Sequence, residues 1–136
     1  MTGGLPLWTK ILLRNLLKMK VFKFGGASVK NSESIRNILN IISSHNINDL
    51  IVVVSAMDKT TNALEEVVKM YLENNQEYIH KVDEIFNFHE GICLDLFPKN
   101  HEVFSGLRKL ITKIVSLLKN NKSPNHSFVY DQVVSY

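Results

Sequence analysis

The chain is predicted to be an α/β protein built on parallel strands, and three observations carry that expectation. Two short apolar runs, residues 20–24 and 50–54, are rich in β-branched and aromatic residues. The second of them, Leu50-Ile51-Val52-Val53-Val54, is apolar on both faces, as a strand covered on both sides inside a parallel sheet is. Between the runs Ile35, Ile38, Leu39 and Ile42 recur at helical spacing, and each run ends in a loop of small and polar residues. A strand, helix, strand unit with both loops on one sheet edge accounts for all three.

Taken in order, residues 1–18 come first, with Lys10 and Arg14 interrupting the apolar positions and no run long enough to cross a bilayer. A small-residue cleavage site is lacking, so a basic amphipathic surface helix is the reading for this stretch rather than a secretory signal. Met19-Lys20 makes a natural start, and residues 1–18 are expected to be a leader or upstream extension ahead of a folded domain at 19–136. The first strand covers Lys20 to Phe24, and Ser32 is expected to cap the helix that follows. Ser44 to Asp49 is a polar break before the second strand. Beyond the loop from Ser55 to Asn62, Leu64, Val67, Val68, Tyr71 and Leu72 share a helix face.

After Asn75 the pattern turns wholly helical. Ile79, Val82, Ile85, Phe86, His89 and Ile92 trace one stripe, and Val103, Leu107, Leu110, Ile111, Ile114 and Leu118 trace another. This is a helical insertion, broken at Leu96-Phe97-Pro98, with Ser123-Pro124 suiting the cap and first-turn proline of a last helix.

Composition bounds the function classes. At 136 residues, 45% hydrophobic and 21% charged, the chain has the make-up of one globular unit with a real core. Its net charge of +3 belongs to Lys10, Arg14 and Lys18: the 16 basic residues less these three leave 13 against 13 acidic ones. The body is therefore neutral and without a basic stripe, which argues against a nucleic-acid partner. The single Cys93 cannot form an internal disulfide and lies in an apolar helical pattern, so a buried, inert thiol in a reducing, cytoplasmic compartment is expected.

The chemistry concentrates at Lys23-Phe24-Gly25-Gly26-Ala27-Ser28-Val29. Two glycines at a strand's carboxyl end let the backbone turn sharply and leave its N–H groups open to an anion, while Lys23 supplies a point charge. The Walker spacing and Gly-x-Gly-x-x-Gly are both absent, and the same glycine pair serves equally in a plain tight turn. His89-Glu90 resembles the opening of a His-Glu-x-x-His zinc motif, but Cys93 stands where the second histidine is required, so no metal site is expected. Asn125-His126-Ser127 fits a glycosylation sequon, a chance match in a chain without a secretory signal.

Lys23 to Val29, together with Val53-Val54-Ser55-Ala56-Met57 and Thr60-Thr61-Asn62, resembles the amino acid kinase family, and specifically the aspartate kinases. Those enzymes open on a strand running into Lys-Phe-Gly-Gly-Thr-Ser-Val, and their next strand leads into a Val-Ser-Ala loop ending in Thr-Asn. Tyr130 to Tyr136 looks like the segment leading into that family's Gly-Glu substrate motif, so the chain is expected to cover the first half of the catalytic domain. Two departures stand out: Ala27 replaces the usual threonine, and Asp58 stands where many members have glycine. An acid there would repel a nearby phosphate and restrict the loop's backbone.

The resemblance implies a three-layer α/β/α, carbamate kinase-like fold and phosphoryl transfer from ATP, carried with Mg2+, to the β-carboxylate of L-aspartate. The product, 4-phospho-L-aspartate, leads to lysine, threonine and methionine. It also implies roles: Lys23 stabilises the transferring phosphoryl group, Gly25, Gly26 and Ser28 hold ATP phosphates, and Ser55 and Thr61 bind the amino acid substrate. The bare chemistry agrees, since phosphoryl transfer needs positioning and charge neutralisation more than covalent help. A strand-end serine also serves as a turn residue, and Thr61 or Asn62 as a helix cap. The parent enzyme is expected to be a homo-oligomer with no membrane span. The nearest rivals are other amino acid kinases, acting on glutamate or uridylate, and a non-catalytic fragment inactive in isolation.

Overall fold

The computed structural model of the chain describes residues 6–16 and 19–135, and the chain divides into two compact units, one ending at Met57 and the other beginning at Asp58. The expected boundary between a leader or upstream extension at 1–18 and a domain at 19–136 is a division of sequence, distinct from this division of packing.

The first unit opens with helix α1 (Leu7–Leu16), started by amides of Thr9 and Lys10 donating to the Pro6 carbonyl at 3.0 and 3.2 Å. Strand β1 (Lys20–Phe24) pairs in parallel with β2 (Leu50–Val54), Lys20 opposite Leu50 through to Phe24 opposite Val54, and both strands keep the predicted bounds. Helix α2 (Ser32–Ser43) makes the crossover that a parallel pair requires. Its cap is Asn31 rather than Ser32: the extended backbone of Asn31 sets Oδ1 to accept from the Ser34 amide at 2.9 Å, while Ser32 is already helical. Glu33 adds an acid to the first turn, where the helix dipole favours it. At the far end the Ser44 hydroxyl donates to the Ile41 carbonyl at 2.7 Å and the His45 ring lies edge-on to Phe22, 4.8 Å between centroids, tying α2 to β1. Asn46 accepts from the Asn48 amide and donates to Asp49, each at 3.1 Å, which turns the chain into β2.

The expected burial of β2 on both faces is not met. Ile51, Val52, Val53 and Val54 are exposed, Val54 by 55%, as is Val21 of β1. The physical reason is the size of the sheet: β1 and β2 are its two strands among the described residues. Among the described residues of this unit, Val29 and Ile38 are the buried apolar side chains.

The second unit is four helices round one core. Helix α3 (Thr60–Leu72) packs on α4 (Tyr78–Leu96) and on α6 (His126–Val134), and α5 (Val103–Asn120) packs on α4 and α6. Val67, Val68, Val82, Leu118, Val129 and Val133 are completely enclosed, joined by Tyr78, Ile85 and Ile114. Two positions leave the predicted stripes: Tyr78 takes the buried place on α4 and Ile79 is exposed, and Leu110 of α5 is exposed where Ile114 and Leu118 go in. The rest of each stripe keeps its predicted phase, with Val82, Ile85 and Ile92 of α4 and Ile114 and Leu118 of α5 buried as expected, so the misses fall at the flank of the stripe.

α3 ends in a Schellman motif. Asn74 takes φ +57°, its amide donating to the Tyr71 carbonyl at 3.0 Å and that of Asn75 to Met70 at 2.9 Å. The cap of α6 is Asn125, accepting from the Phe128 amide at 3.0 Å, in place of the expected Ser123-Pro124. Ser123 instead accepts the Asn125 amide on its hydroxyl at 3.2 Å, one step upstream. Cys93 is half-buried rather than fully buried; desolvation, then the nearby Glu90 carboxylate, push its thiol pKa up, which keeps it protonated and unreactive.

Candidate functional site

The carboxyl edge of the two-stranded sheet gathers five of the six residues singled out from sequence. Lys23 lies opposite Val53 in the ladder, and the amide of Ser55 extends that ladder by donating to the Phe24 carbonyl at 3.0 Å. Strand alternation puts Lys23 on the sheet face of Val21, Ile51 and Val53, away from Phe22 and Phe24. Its side chain is exposed, and among the described residues none pairs with its ammonium.

The glycine turn is built differently from the expectation. Neither glycine uses a positive φ: Gly25 continues the strand at φ −78°, ψ 174°, and Gly26 opens a 3-10 turn to Val29. That turn closes through the Ser28 amide donating to the Gly25 carbonyl at 2.8 Å, and buried Val29 anchors it. A Cβ built on Gly25 would meet nothing within 4 Å, so the fold itself does not demand glycine there. Ser28 borders a concavity of about 260 Å3 between the turn and α2, with Phe24, Ala27, Ser34, Asn37, Ile38 and Ile41. The Ser55 hydroxyl is turned to its neighbour, donating to the Ala56 carbonyl at 3.0 Å.

Thr61 belongs to the second unit. It stands exposed in the first turn of α3, which starts at Thr60, so neither Thr61 nor Asn62 is the cap; that position is Lys59, without a side-chain bond. Just before it, Asp58 has φ +43°, the left-handed region that glycine enters freely and an aspartate at some strain.

A second concavity, of about 160 Å3, was not foreseen. Asp58, Lys59, Thr60 and Ala63 line one side, and Lys81, Glu84, Ile85, Phe88 and His89 the other. Lys81 Nζ reaches Glu66 at 2.9 Å and Glu84 at 3.2 Å, and hydrogen bonds to these carboxylates raise its pKa, Glu66 most. His89 Nδ1 lies 2.7 Å from the Ile85 carbonyl and must be the donor there, which leaves Nε2 to accept from Thr60 Oγ1, 3.4 Å away. The Ile85 and Lys81–Glu84 spacings of four and three were readable signals; the Glu66–Lys81 pairing between helices was not. Among the described residues no cluster of three potential metal ligands occurs.

Strand, glycine turn, crossover helix and serine-ended second strand together match a known pattern. The chain belongs to the amino acid kinase family, whose sequence model matches residues 18–118. Within that family its similarity runs to aspartokinases. It is 39% identical over 108 residues to the bifunctional aspartokinase/homoserine dehydrogenase of Buchnera aphidicola subsp. Acyrthosiphon pisum, covering 75% of this chain and 13% of that protein. It is 33% identical over 76 residues to the chloroplastic bifunctional aspartokinase/homoserine dehydrogenase 2 of Arabidopsis thaliana, covering 56% and 8%. The aspartokinase of Bacillus sp. (strain MGA3) is 51% identical over 51 residues, covering 36% and 12%. The chain thus spans about an eighth or less of the length of these relatives. No solved structure matches it.

Proposed function

We propose that the chain is the N-terminal part of an aspartate kinase, with residues 19–136 contributing to a three-layer α/β/α kinase domain and residues 1–18 preceding it. The observation that carries this is the meeting of Lys23, the Gly25-Gly26 turn and Ser55 at one carboxyl edge of a parallel strand pair, where open α/β sheets bind ligands. The empty space about Gly25 supports a ligand role for the missing Cβ, since packing gives no other reason for it.

In this reading the reaction is an in-line displacement. A β-carboxylate oxygen of L-aspartate attacks the γ-phosphorus of ATP, the new O–P bond forms as the β,γ-bridging bond breaks, and ADP leaves with that bond's electrons. Magnesium enters with the nucleotide, as part of the substrate. The Lys23 ammonium, exposed and without a pairing partner among the described residues, offsets charge on the phosphoryl oxygens, while Gly25, Gly26 and Ser28 let the turn come close to the phosphates. Ser55 and Thr61 supply hydroxyls that orient the amino acid. By itself the chain is expected to be catalytically inactive, because the apolar β2 surface beside the site is uncovered.

The test is a chimera of the Buchnera relative in which this chain replaces the matching 108-residue segment. Aspartate-dependent ADP release is expected, and Lys23→Ala should lower it by about 10²–10³-fold, the usual cost of removing one preorganised charge-stabilising group. Homoserine dehydrogenase activity of the same molecule reports that it folded. Intact dehydrogenase activity with no aspartate turnover, or turnover with glutamate or uridylate instead, overturns the assignment.

A further inference from the structure

We propose that the concavity between α3 and α4 binds a small zwitterion with an apolar body, an α-amino acid carrying a branched or aromatic side chain. None of the residues assigned to phosphoryl transfer or to the aspartate substrate lines it, so the inference stands apart from the kinase reading. Ala63, Ile85 and Phe88 make its apolar wall, with Phe88 39% exposed although Ile85 on the same wall is buried. A ring left open to water beside a hollow gains by covering its face with apolar ligand surface. At about 160 Å3 the hollow is close in size to the roughly 150 Å3 that takes up a benzene molecule in an engineered cavity.

Charge selects the rest of the ligand. Lys81 is held by Glu66 at 2.9 Å and by Glu84 at 3.2 Å, and the two ring nitrogens of His89 are taken up by the Ile85 carbonyl and the Thr60 hydroxyl. That leaves Asp58 and Lys59, which are exposed, consecutive and of opposite sign. Among the described residues neither of their side chains is in an ion pair. The φ of +43° at Asp58 is one that glycine takes freely, so what the aspartate adds at this rim is its carboxylate. A ligand ammonium answers Asp58 and a ligand carboxylate answers Lys59, while the side chain between them lies on Ala63, Ile85 and Phe88. A lone anion would meet Asp58 and a lone cation Lys59, each at the cost of like charges brought together.

The full chain, isotope-labelled, is titrated with L-phenylalanine at neutral pH and followed by its amide NMR signals. Saturable shifts at Lys59, Ala63 and Phe88 are expected at about millimolar concentration, the range open to a ligand of this size. Phenylacetate and phenethylamine, which each keep one of the two charges, should bind about two- to fivefold more weakly, the scale of an exposed ion pair. L-phenylalanine should lose the same factor with Lys59→Gln and with Asp58→Asn, a change the left-handed turn accepts, and about tenfold with Phe88→Ala. The proposal is overturned by the absence of shifts at these residues up to roughly ten times that concentration. Equal binding of either singly charged analogue overturns the zwitterion, and equal binding of L-aspartate overturns the apolar body. Unchanged affinity in both charge variants overturns the assignment of Asp58 and Lys59. The comparison of ligands is made on the unaltered chain, so it does not depend on any variant folding.

Discussion

The two units of this chain satisfy their apolar residues to opposite degrees. In the second, six side chains are completely enclosed between helices, with the carbonyl end of α3 closed at Asn74 and the amide end of α6 at Asn125. In the first, the most apolar segment of the whole sequence, Leu50 to Val54, lies largely in water. The residues assigned to phosphoryl transfer sit in that less satisfied unit. Chemistry placed at a sheet edge needs neighbouring strands to hold and enclose it, whereas a helical core can be completed locally.

The sharpest consequence concerns where stability resides. Leu118→Ala removes a fully enclosed side chain of the second unit and should cost about 2–5 kcal/mol of that unit's stability. Val53→Ala, at a position 45% exposed, should stay within about 0.5 kcal/mol. Urea unfolding of both variants followed by circular dichroism checks this. An equal cost at the two positions would mean that β2 is covered in solution, and the contrast between the units would fall.

Legibility in the sequence followed the same division. Both strands and their edge loops could be read because a β-rich run ending in glycines or in serine is a local signal, and five of the six site residues were brought to one edge by it. The burial of β2 was misread because apolarity reports what a strand is made to pack against, and the partner need not lie in the same stretch of chain. In the helices Val82, Ile85, Ile92, Ile114 and Leu118 go in as their spacing predicts, while Tyr78 for Ile79 and the exposed Leu110 show the limit: periodicity fixes the centre of a stripe and tertiary packing decides which flank is covered. Caps at Asn31 and Asn125 were each misassigned to a neighbouring serine, since either residue type can accept the first-turn amide and backbone geometry decides. The second concavity lies between α3 and its preceding loop on one side and α4 on the other, a meeting of separate helices, like that of Glu66 with Lys81, which no local pattern encodes.

Asp58 tests the junction where the second unit begins. Its φ of +43° is tolerated by aspartate, free for glycine and costly for a residue with an ordinary Cβ. Asp58→Ala should lose about 1 kcal/mol, and Asp58→Gly should be nearly neutral, because relief of strain is offset by the greater freedom of glycine in the unfolded chain. Thermal melts of the two variants separate these outcomes. If alanine is tolerated as well as glycine, the left-handed turn is not held in solution, and α3 starts from a looser loop than its bonded first turn indicates.

The smallest effect is the pH dependence of the α3–α4 pairing through Lys81. Glu66 and Glu84 raise the Lys81 pKa above its ordinary 10.5, so the folded state holds that proton more tightly than the unfolded state does. The stabilisation is therefore complete below about pH 10.5 and is lost as pH rises through the higher folded value. Comparing unfolding midpoints of the native chain and Lys81→Met between neutral and strongly alkaline pH isolates this group from the other lysines. The two should differ slightly at neutral pH and converge as Lys81 deprotonates, and added salt should shrink the neutral-pH gap because the carboxylates are exposed. A gap that persists unchanged into alkali would assign the cost of Lys81→Met to a change in local packing in the concavity it shares with Ile85 and Phe88 rather than to its charge.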